Sequence, residues 1–401
     1  MKIAVLGAGV IGVTAAWYLR QAGHDVQVLE RRAAAGMETS FANGGQISAT
    51  HAEPWAGPGV PWKALKWLLR EDAPLLFRLR ADPAQWRWGL QFLRECTPAR
   101  FRANAGQLMR LGLYSQAALH ALRQETGIQY DQVERGILVF YTEAHDFPHG
   151  RKTPGECVAL EPALAPVRHR LTGGEYVAGD ESGDAHKFTE ELAKLCVQRG
   201  VQFDFEVDIK GFSAGNGKIT GVNIQRKNGA PESIRADAYV LALGSCSPLL
   251  ARPLGIALPI YPLKGYSVTM PVKNPAAAWT LSLTDDAHKL VFTRLGDRLR
   301  IAGTAELNGY NTEINQVRCQ AIVRRTMELF PDAGDSSNAT FWAGLRPATP
   351  SNIPCIGRTK YPNLYLDTGH GTLGWTHACG SGRILADIVS GRRPEVEIAS
   401  T

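Results

Sequence analysis

No two cysteines in this chain are spaced C-x-x-C, and the seven present are odd in number and scattered. That argues against a zinc site or a disulfide framework, and for reduced thiols in a cytoplasmic setting. Long apolar runs are missing too: no stretch reaches the ~20 residues that a membrane-spanning helix needs. The first residues, "MKIAVLGAG", read straight into a strand and carry no cleavable leader pattern. There is no clustered Lys/Arg face. A net charge of +6 without one speaks against nucleic acid and leaves an anionic ligand or membrane surface. No Ser–His–Asp arrangement or metal-binding cluster stands out. What remains is globular: 401 residues, 44% hydrophobic and 20% charged, enough for two domains.

The first thirty residues are richer. "KIAVLGAGVIGVTAAWYLRQAGHDVQVLERR" predicts a strand over Lys2–Leu6, a helix over Val10–Gln21 and a strand over Asp25–Leu29. Gly7, Gly9 and Gly12 spell G-x-G-x-x-G in the turn between strand and helix. The first permits the tight turn, the second lets phosphate approach backbone, and the third lets helix and strand pack closely. Val10 and Ile11 open the helix beneath the phosphate. Glu30 ends the second strand, where a carboxylate accepts from ribose hydroxyls. Glu30 would repel a 2′-phosphate, which Arg31 and Arg32 offset only in part, so NAD or FAD is expected over NADP.

The next segment favours FAD. "RRAAAGMETSFANGGQIS" holds Thr39, Ser40, Asn43, Gly44, Gly45 and Gln46, a small polar run that admits an extended ligand. A nicotinamide fold would more often continue into another βαβ unit here, and none is visible before about residue 130. A second glycine-rich loop, "TGHGTLGWTHACGSG" (368–382), leads into an apolar run that reads as a helix to about Ser390. Gly7–Gly12 would receive the pyrophosphate of FAD, and the loop at 369–374 its isoalloxazine. Backbone N–H groups near Thr372, Leu373 and Gly374 would then stabilise negative charge on the reduced ring.

Between these loops, residues 51–125 read as helical. Trp55, Trp62, Trp67, Trp86 and Trp88 interleave there with Lys and Arg. "WKALKWLLR" has apolar residues at helical spacing, read either as an amphipathic helix capping the second domain or as a peripheral membrane contact through 55–102. Residues 127–142 read as a hairpin and Asp184–Arg199 as a helix with Asp184 at its N-cap. "VQFDFEVDIKGF", "KITGVNIQR" and "ADAYVLALGSCSP" read as strands. The first would set Val207 beside adenine, and the last carries Gly244 at a carboxyl end facing the cofactor. Strands dominate from Ile260 to Thr304, and a helix is expected over about Thr312–Leu329.

Five pieces, "SFANGGQIS", "PWAGPGVPWKALKWLLR", "YPLKGYSVT", "FWAGLRPATP" and "DTGHGTLGW", make nearly the whole chain resemble the D-amino-acid dehydrogenase flavoproteins of the D-amino-acid-oxidase-like superfamily. Two departures touch none of these motifs: the stretch from Tyr141 to Cys157 is short, and the end at Thr401 comes early. The resemblance implies an α/β fold with a discontinuous, Rossmann-like FAD-binding domain (1–50, 155–258 and 340–401). An α+β substrate domain with an antiparallel sheet (51–154 and 259–339) would complete it. It implies oxidative deamination of a D-amino acid to a 2-oxo acid and ammonia, with hydride passing from Cα to flavin N5. Electrons would go on to a quinone or another acceptor. The expected location is cytoplasmic, with peripheral contact at the inner face of the membrane as the second reading.

The resemblance also assigns roles. Arg346 in "GLRP" matches the superfamily's carboxylate-binding position, and only Arg offers a planar bidentate donor. The alternative is a structural Arg paired with Asp. Tyr261, Lys264 and Tyr266 lie on a strand that passes near the flavin in relatives, with Lys264 and Tyr266 sharing one face. A Tyr hydroxyl there could close over the substrate carboxylate. Gly344, His370 and Gly371 join the cofactor set. A lone His in a glycine-rich loop reads as positional, not as an obligate base. Two rivals remain: oxidation of another amine acid (sarcosine, glycine, a proline or hydroxyproline isomer), and a non-catalytic flavin subunit of a larger dehydrogenase.

Overall fold

A computed structural model describes residues 1–50, 53–62, 75–143, 152–227 and 229–398. β1 (Lys2–Leu6) is apolar on both sides because it lies inside a covered sheet. The strand order is β18 (Cys355–Arg358), β19 (Leu364–Thr368), β12 (Ala238–Leu241), β1, β2 (Asp25–Leu29) and β8 (Gln202–Asp204). All pair in parallel except β18, which runs antiparallel to β19. Ile3 and Val5 pack against the helices Val10–Gln21, Ala185–Gln198 and Gly374–Val389. Ala4 and Leu6 face the other way, onto a three-stranded antiparallel sheet of β9 (Val207–Gly215), β10 (Lys218–Arg226) and β11 (Pro231–Ile234). This is the Rossmann-like layering that the sequence predicts.

The second sheet has eight strands. Seven run in the order β17 (Thr340–Ala348), β13 (Tyr261–Pro271), β16 (Arg298–Leu307), β15 (Leu290–Leu295), β14 (Ser282–Asp285), β5 (Ile137–Tyr141) and β6 (Gly173–Val177). β4 (Leu75–Phe77) lies beside β16. The core face of this eight-stranded sheet packs on the helix Gln316–Leu329. β6 and β17 come from the stretches 155–258 and 340–401, which the sequence reading placed with the nucleotide-binding part. The chain thus weaves between the two sheets more often than its motifs indicate. A two-residue ladder, β3 (Gln46–Ile47) with β7 (Glu181–Ser182), ties the loop after β2 to the segment before the helix Ala185–Gln198.

Two local expectations are corrected. Residues 127–142 form no hairpin: β5, apolar and buried throughout, pairs with β14 and β6, both distant from it in sequence. Residues 51–125 are not helical throughout, since β4 interrupts them before the helices Pro83–Glu95 and Pro98–Thr126. Most of "WKALKWLLR" (residues 63–70) lies outside the described residues. So does part of the short stretch before Cys157, residues 144–151.

Helix–helix contacts explain two glycines of the late loop. A Cβ at Gly380 would lie 2.8 Å from Ser115 on the helix Pro98–Thr126, and one at Gly382 would lie 2.8 Å from the backbone of Thr14. Both let helices cross closely.

Candidate active site

A long cavity runs between the carboxyl ends of the parallel strands and the second sheet. Its wall takes in residues of the first glycine loop (Gly7, Gly9), Glu30, Thr39 and Asn43 of the loop after β2, Gly244, Gly265, Trp342, Gly344 and Arg346 of β17, and most of the late glycine loop. At one end the first glycine loop is built as the motif requires. Gly7 has φ +104°, and a Cβ there would lie 2.7 Å from the Ala242 carbonyl. A Cβ on Gly12 would lie 1.9 Å from the Gly7 oxygen, so the third glycine serves packing and does not line the cavity. Gly9 is the N-cap of the first helix, with no side-chain cap and no acid in the first turn. Apart from the Val10 amide, the first-turn N–H donors are therefore left for an anion. Ser40 Oγ accepts from the amide of Val10 at 3.1 Å.

Glu30 is buried and held by backbone: its two oxygens accept from the amides of Ala8 and Arg32, each at 2.8 Å. Carboxylate oxygens have further lone pairs, so Glu30 can still accept from a ribose hydroxyl. Arg31 and Arg32 both pair with Glu38. Val207 lies in the core behind this end, donating its N–H to the Glu30 carbonyl, while Asp208 and Ile209 reach the cavity.

The loop after β2 is fastened across the cavity. Thr39 Oγ1 donates to the Leu345 carbonyl at 2.9 Å, and Asn43 Oδ1 accepts from Gly45 N. Gly44 offers its carbonyl to Thr293 Oγ1 at 2.7 Å. Gly45 and Gln46 do not line the cavity. Gln46 instead donates to Ser282 and Thr284 on β14, joining loop to sheet.

The second helix start opens on the same cavity. Gly369 and Gly371 have φ +84° and +54°, and Gly371 N donates to the Pro347 carbonyl. The helix Gly374–Val389 has Leu373 at its N-cap, no side-chain cap and no acid in its first turn. Thr372, Gly374 and Trp375 line the wall, while Leu373 does not. Two helix N-termini, neither capped by its own N-cap side chain, thus share one cavity, the geometry for a ligand with anionic character at two separated places. Beneath the loop, Ser381 Oγ donates to Asp367 and meets His370 Nε2 at 2.8 Å. Burial pushes the Asp367 carboxyl up to about 7 and His370 down to about 3.

Facing this loop, strand alternation sorts the candidate catalytic residues. β13 and β17 pair Leu263↔Arg346, Gly265↔Gly344 and Ser267↔Trp342, which puts Arg346, Gly344 and Trp342 on one face. A Cβ on Gly344 would lie 1.8 Å from the Trp342 ring, and one on Gly265 would lie 2.3 Å from Cζ of Arg346. The two paired glycines form a floor over which an indole and a guanidinium lie flat. Arg346 Nη1 donates to the Thr304 carbonyl at 3.0 Å. Among the described residues no carboxylate pairs with it, and burial alone pushes its basicity down to about 10. The Arg–Asp alternative finds no partner here.

The three other candidates are placed differently. Lys264 and Tyr266 do share a face, with Nζ 5.4 Å from the ring centroid, but it is the face opposite Arg346. Lys264 is buried and donates to Asn311 and the Glu313 carbonyl. Tyr266 reaches the cavity wall, yet its hydroxyl donates to buried Glu306. Tyr261 donates to Asp82 at 2.9 Å and packs on Trp88, away from the cavity. For Lys264 and Tyr266 period-two alternation is the reason: the residues next to Gly265 in sequence point away from the side it leaves open, whereas Tyr261 shares the face of Gly265 but lies farther along the strand. The reading missed Trp342 and Gly265. Both had a signal: W-x-G-x-R repeats at the strand period, and a glycine inside a strand marks close approach.

Comparison with known proteins gives the same picture. The family described as "FAD dependent oxidoreductase" matches residues 2–388. A D-amino acid dehydrogenase of Dechloromonas aromatica (strain RCB) is 55% identical over 412 residues, covering 99% of each chain. Another, of Paramagnetospirillum magneticum (strain ATCC 700264 / AMB-1), is 55% identical, covering 98% of this chain and 96% of that protein. Glycine oxidase from Geobacillus kaustophilus has the same fold, with TM-score 0.75 at 21% identity over 99% of this chain and 96% of that one. So does L-proline dehydrogenase from P. horikoshii, with TM-score 0.74 at 18% identity over 98% and 94%. A nucleotide loop with its acid, two helix starts open to anionic groups and one long cavity suit FAD, and this chain belongs to the FAD-dependent oxidoreductase family that D-amino acid dehydrogenases share.

Proposed function

We propose that this enzyme oxidises D-amino acids to 2-oxo acids and ammonia and passes the electrons to a quinone or another acceptor. The observation that carries the reading is Arg346. Its guanidinium lies on the cavity wall over Gly265, has one backbone acceptor, and faces no carboxylate among the described residues. A substrate carboxylate would complete it with two parallel charge-assisted hydrogen bonds. The 55% identical relatives named D-amino acid dehydrogenases support the choice of stereochemistry.

Bound FAD supplies the two-electron acceptor. The protein's part is to bind and orient. Arg346 holds the carboxylate, Trp342 covers the glycine floor beside it and excludes water, and Gly371–Trp375 present the start of the final helix. His370 is too weakly basic to collect a proton at neutral pH, which supports a positioning role. Expulsion of Cα–H as hydride from a neutral amine needs no side-chain base.

The test is an anaerobic titration of the yellow protein with matched D- and L-amino acids, followed by reoxidation with oxygen or a quinone analogue. D-Alanine is expected to bleach the flavin faster than L-alanine, glycine, sarcosine or proline, and the quinone to restore colour faster than oxygen. Faster bleaching by an L- or N-methyl acid would select the other amine-acid reading. No bleaching by any amino acid would mark a non-catalytic subunit.

A further inference from the structure

The pairing of β13 with β16 runs one-to-one from Pro271↔Arg298 to Tyr266↔Gly303 and then jumps to Lys264↔Glu306. Gly265 alone therefore faces both Thr304 and Ala305, a two-against-one bulge. Thr304 has φ +53°, the left-handed region that a β-branched residue takes only under constraint. Its own hydroxyl does not hold it there: Oγ1 is buried without a hydrogen-bond partner among the described residues. Its carbonyl, turned out of the regular ladder, accepts from Arg346 Nη1 at 3.0 Å.

Arg346 stands on β17, and β13 lies between it and β16. To reach the bulge its side chain must cross β13. It does so at Gly265, where even a Cβ would lie 2.3 Å from Cζ. Three strands thus contribute one feature each: the arginine from β17, the gap from β13, the acceptor from β16.

We propose that Thr304 is a positioning residue for substrate binding. Its bulge holds one edge of the Arg346 guanidinium so that the remaining donors face the cavity before the substrate arrives. This rests on the reading of Arg346 as the carboxylate anchor. A free arginine would have to surrender its rotamer freedom on binding. One already tied at Nη1 and pressed on Gly265 has surrendered it in folding. Bulges beside binding sites commonly re-aim a side chain in this manner.

Deleting Thr304 tests it, because the deletion pairs Ala305 with Gly265 and leaves Tyr266↔Gly303 and Lys264↔Glu306 in register on their present faces. The FAD-loaded full chain is titrated calorimetrically with propionate, a carboxylate without an amine, and assayed with D-alanine. The propionate Kd and the D-alanine KM are expected to rise about tenfold or more, while kcat changes by less than about threefold and flavin content stays constant. Unchanged Kd and KM would overturn the proposal, as would loss of flavin with KM intact. Should the deleted chain not fold, Gly265→Ala breaks the same contact from the other side, and an unchanged propionate Kd in that variant overturns the proposal equally. Arg346→Gln separates the two layers. If it abolishes propionate binding and the deletion does not, only the role of Thr304 falls. If Arg346→Gln binds propionate like the parent, the anchor falls and Thr304 with it.

Discussion

Single residues carry the site's chemistry through burial more than through charge. His370 and His377 both lie in or under the late glycine loop, and burial pushes each imidazole down to about 3. Both are neutral in the fold, and His377 does not line the cavity. Below pH ~6.5 the unfolded chain protonates such a residue and the fold does not, so stability is lost as pH falls from about 6.5 towards 3. At pH 5 that loss is about 2 kcal/mol for one histidine. Urea unfolding at pH 8 and pH 5 checks this: His377→Gln should lose about 2 kcal/mol less than the parent between the two. Equal losses would mean that His377 takes up its proton in the fold. At this scale the sequence was only half legible. "GLRP" pointed to Arg346, but nothing local says that Lys264 and Tyr266 face away from it, because facing is set by which strand lies alongside.

The elements were the most legible level. Lys2–Leu6, Val10–Gln21 and Asp25–Leu29 form as read, since apolar period and glycine turn agree there. Asp184 caps its helix as expected, accepting from the amides of His186 and Lys187. It also pairs with Arg298 at 3.0 Å, reaching the second sheet. Asp184→Ala should therefore cost about 1–2 kcal/mol in urea unfolding, and Asp184→Asn, which keeps the cap, clearly less. Equal losses would assign the whole effect to the Arg298 pair. Besides β4, which interrupts the stretch read as helical, the hairpin expected at 127–142 failed. β5 is five apolar residues with no polar alternation, a pattern that does not name its partners, and those partners, β14 and β6, are distant in sequence.

On the scale of the whole molecule, the outer surface raises the question of location. No helix among the described residues is long and apolar enough to cross a membrane. Yet the helix Pro83–Glu95 exposes Trp86 (50%), Leu90 (61%) and Leu93 (52%) along one face, with Arg87 and Arg94 beside them. Aromatic, aliphatic and basic side chains on an exposed helical face support the peripheral membrane reading. In sedimentation with vesicles containing anionic lipid, the parent is expected to pellet. A Trp86→Ser, Leu90→Asp double variant should stay in the supernatant with its flavin content unchanged. If both variant and parent remain in solution, the amphipathic cap is the better reading.

The sequence alone determined whatever depends on neighbours along the chain: the strand–turn–helix of the nucleotide loop, the helix caps, and the residue types that FAD and a carboxylate require. Backbone sterics and hydrogen bonding act over a few residues, so a short motif suffices to specify them. The tertiary structure decided what depends on pairing between distant segments. It set Gly265 against Gly344, routed Arg346 across β13 to a bulge on β16, and turned two helix starts nearly the whole chain apart onto one cavity. Strand register has a period of two, and one step of slip exchanges the two faces of a sheet. No residue's own neighbourhood in sequence records which face it will share with another strand.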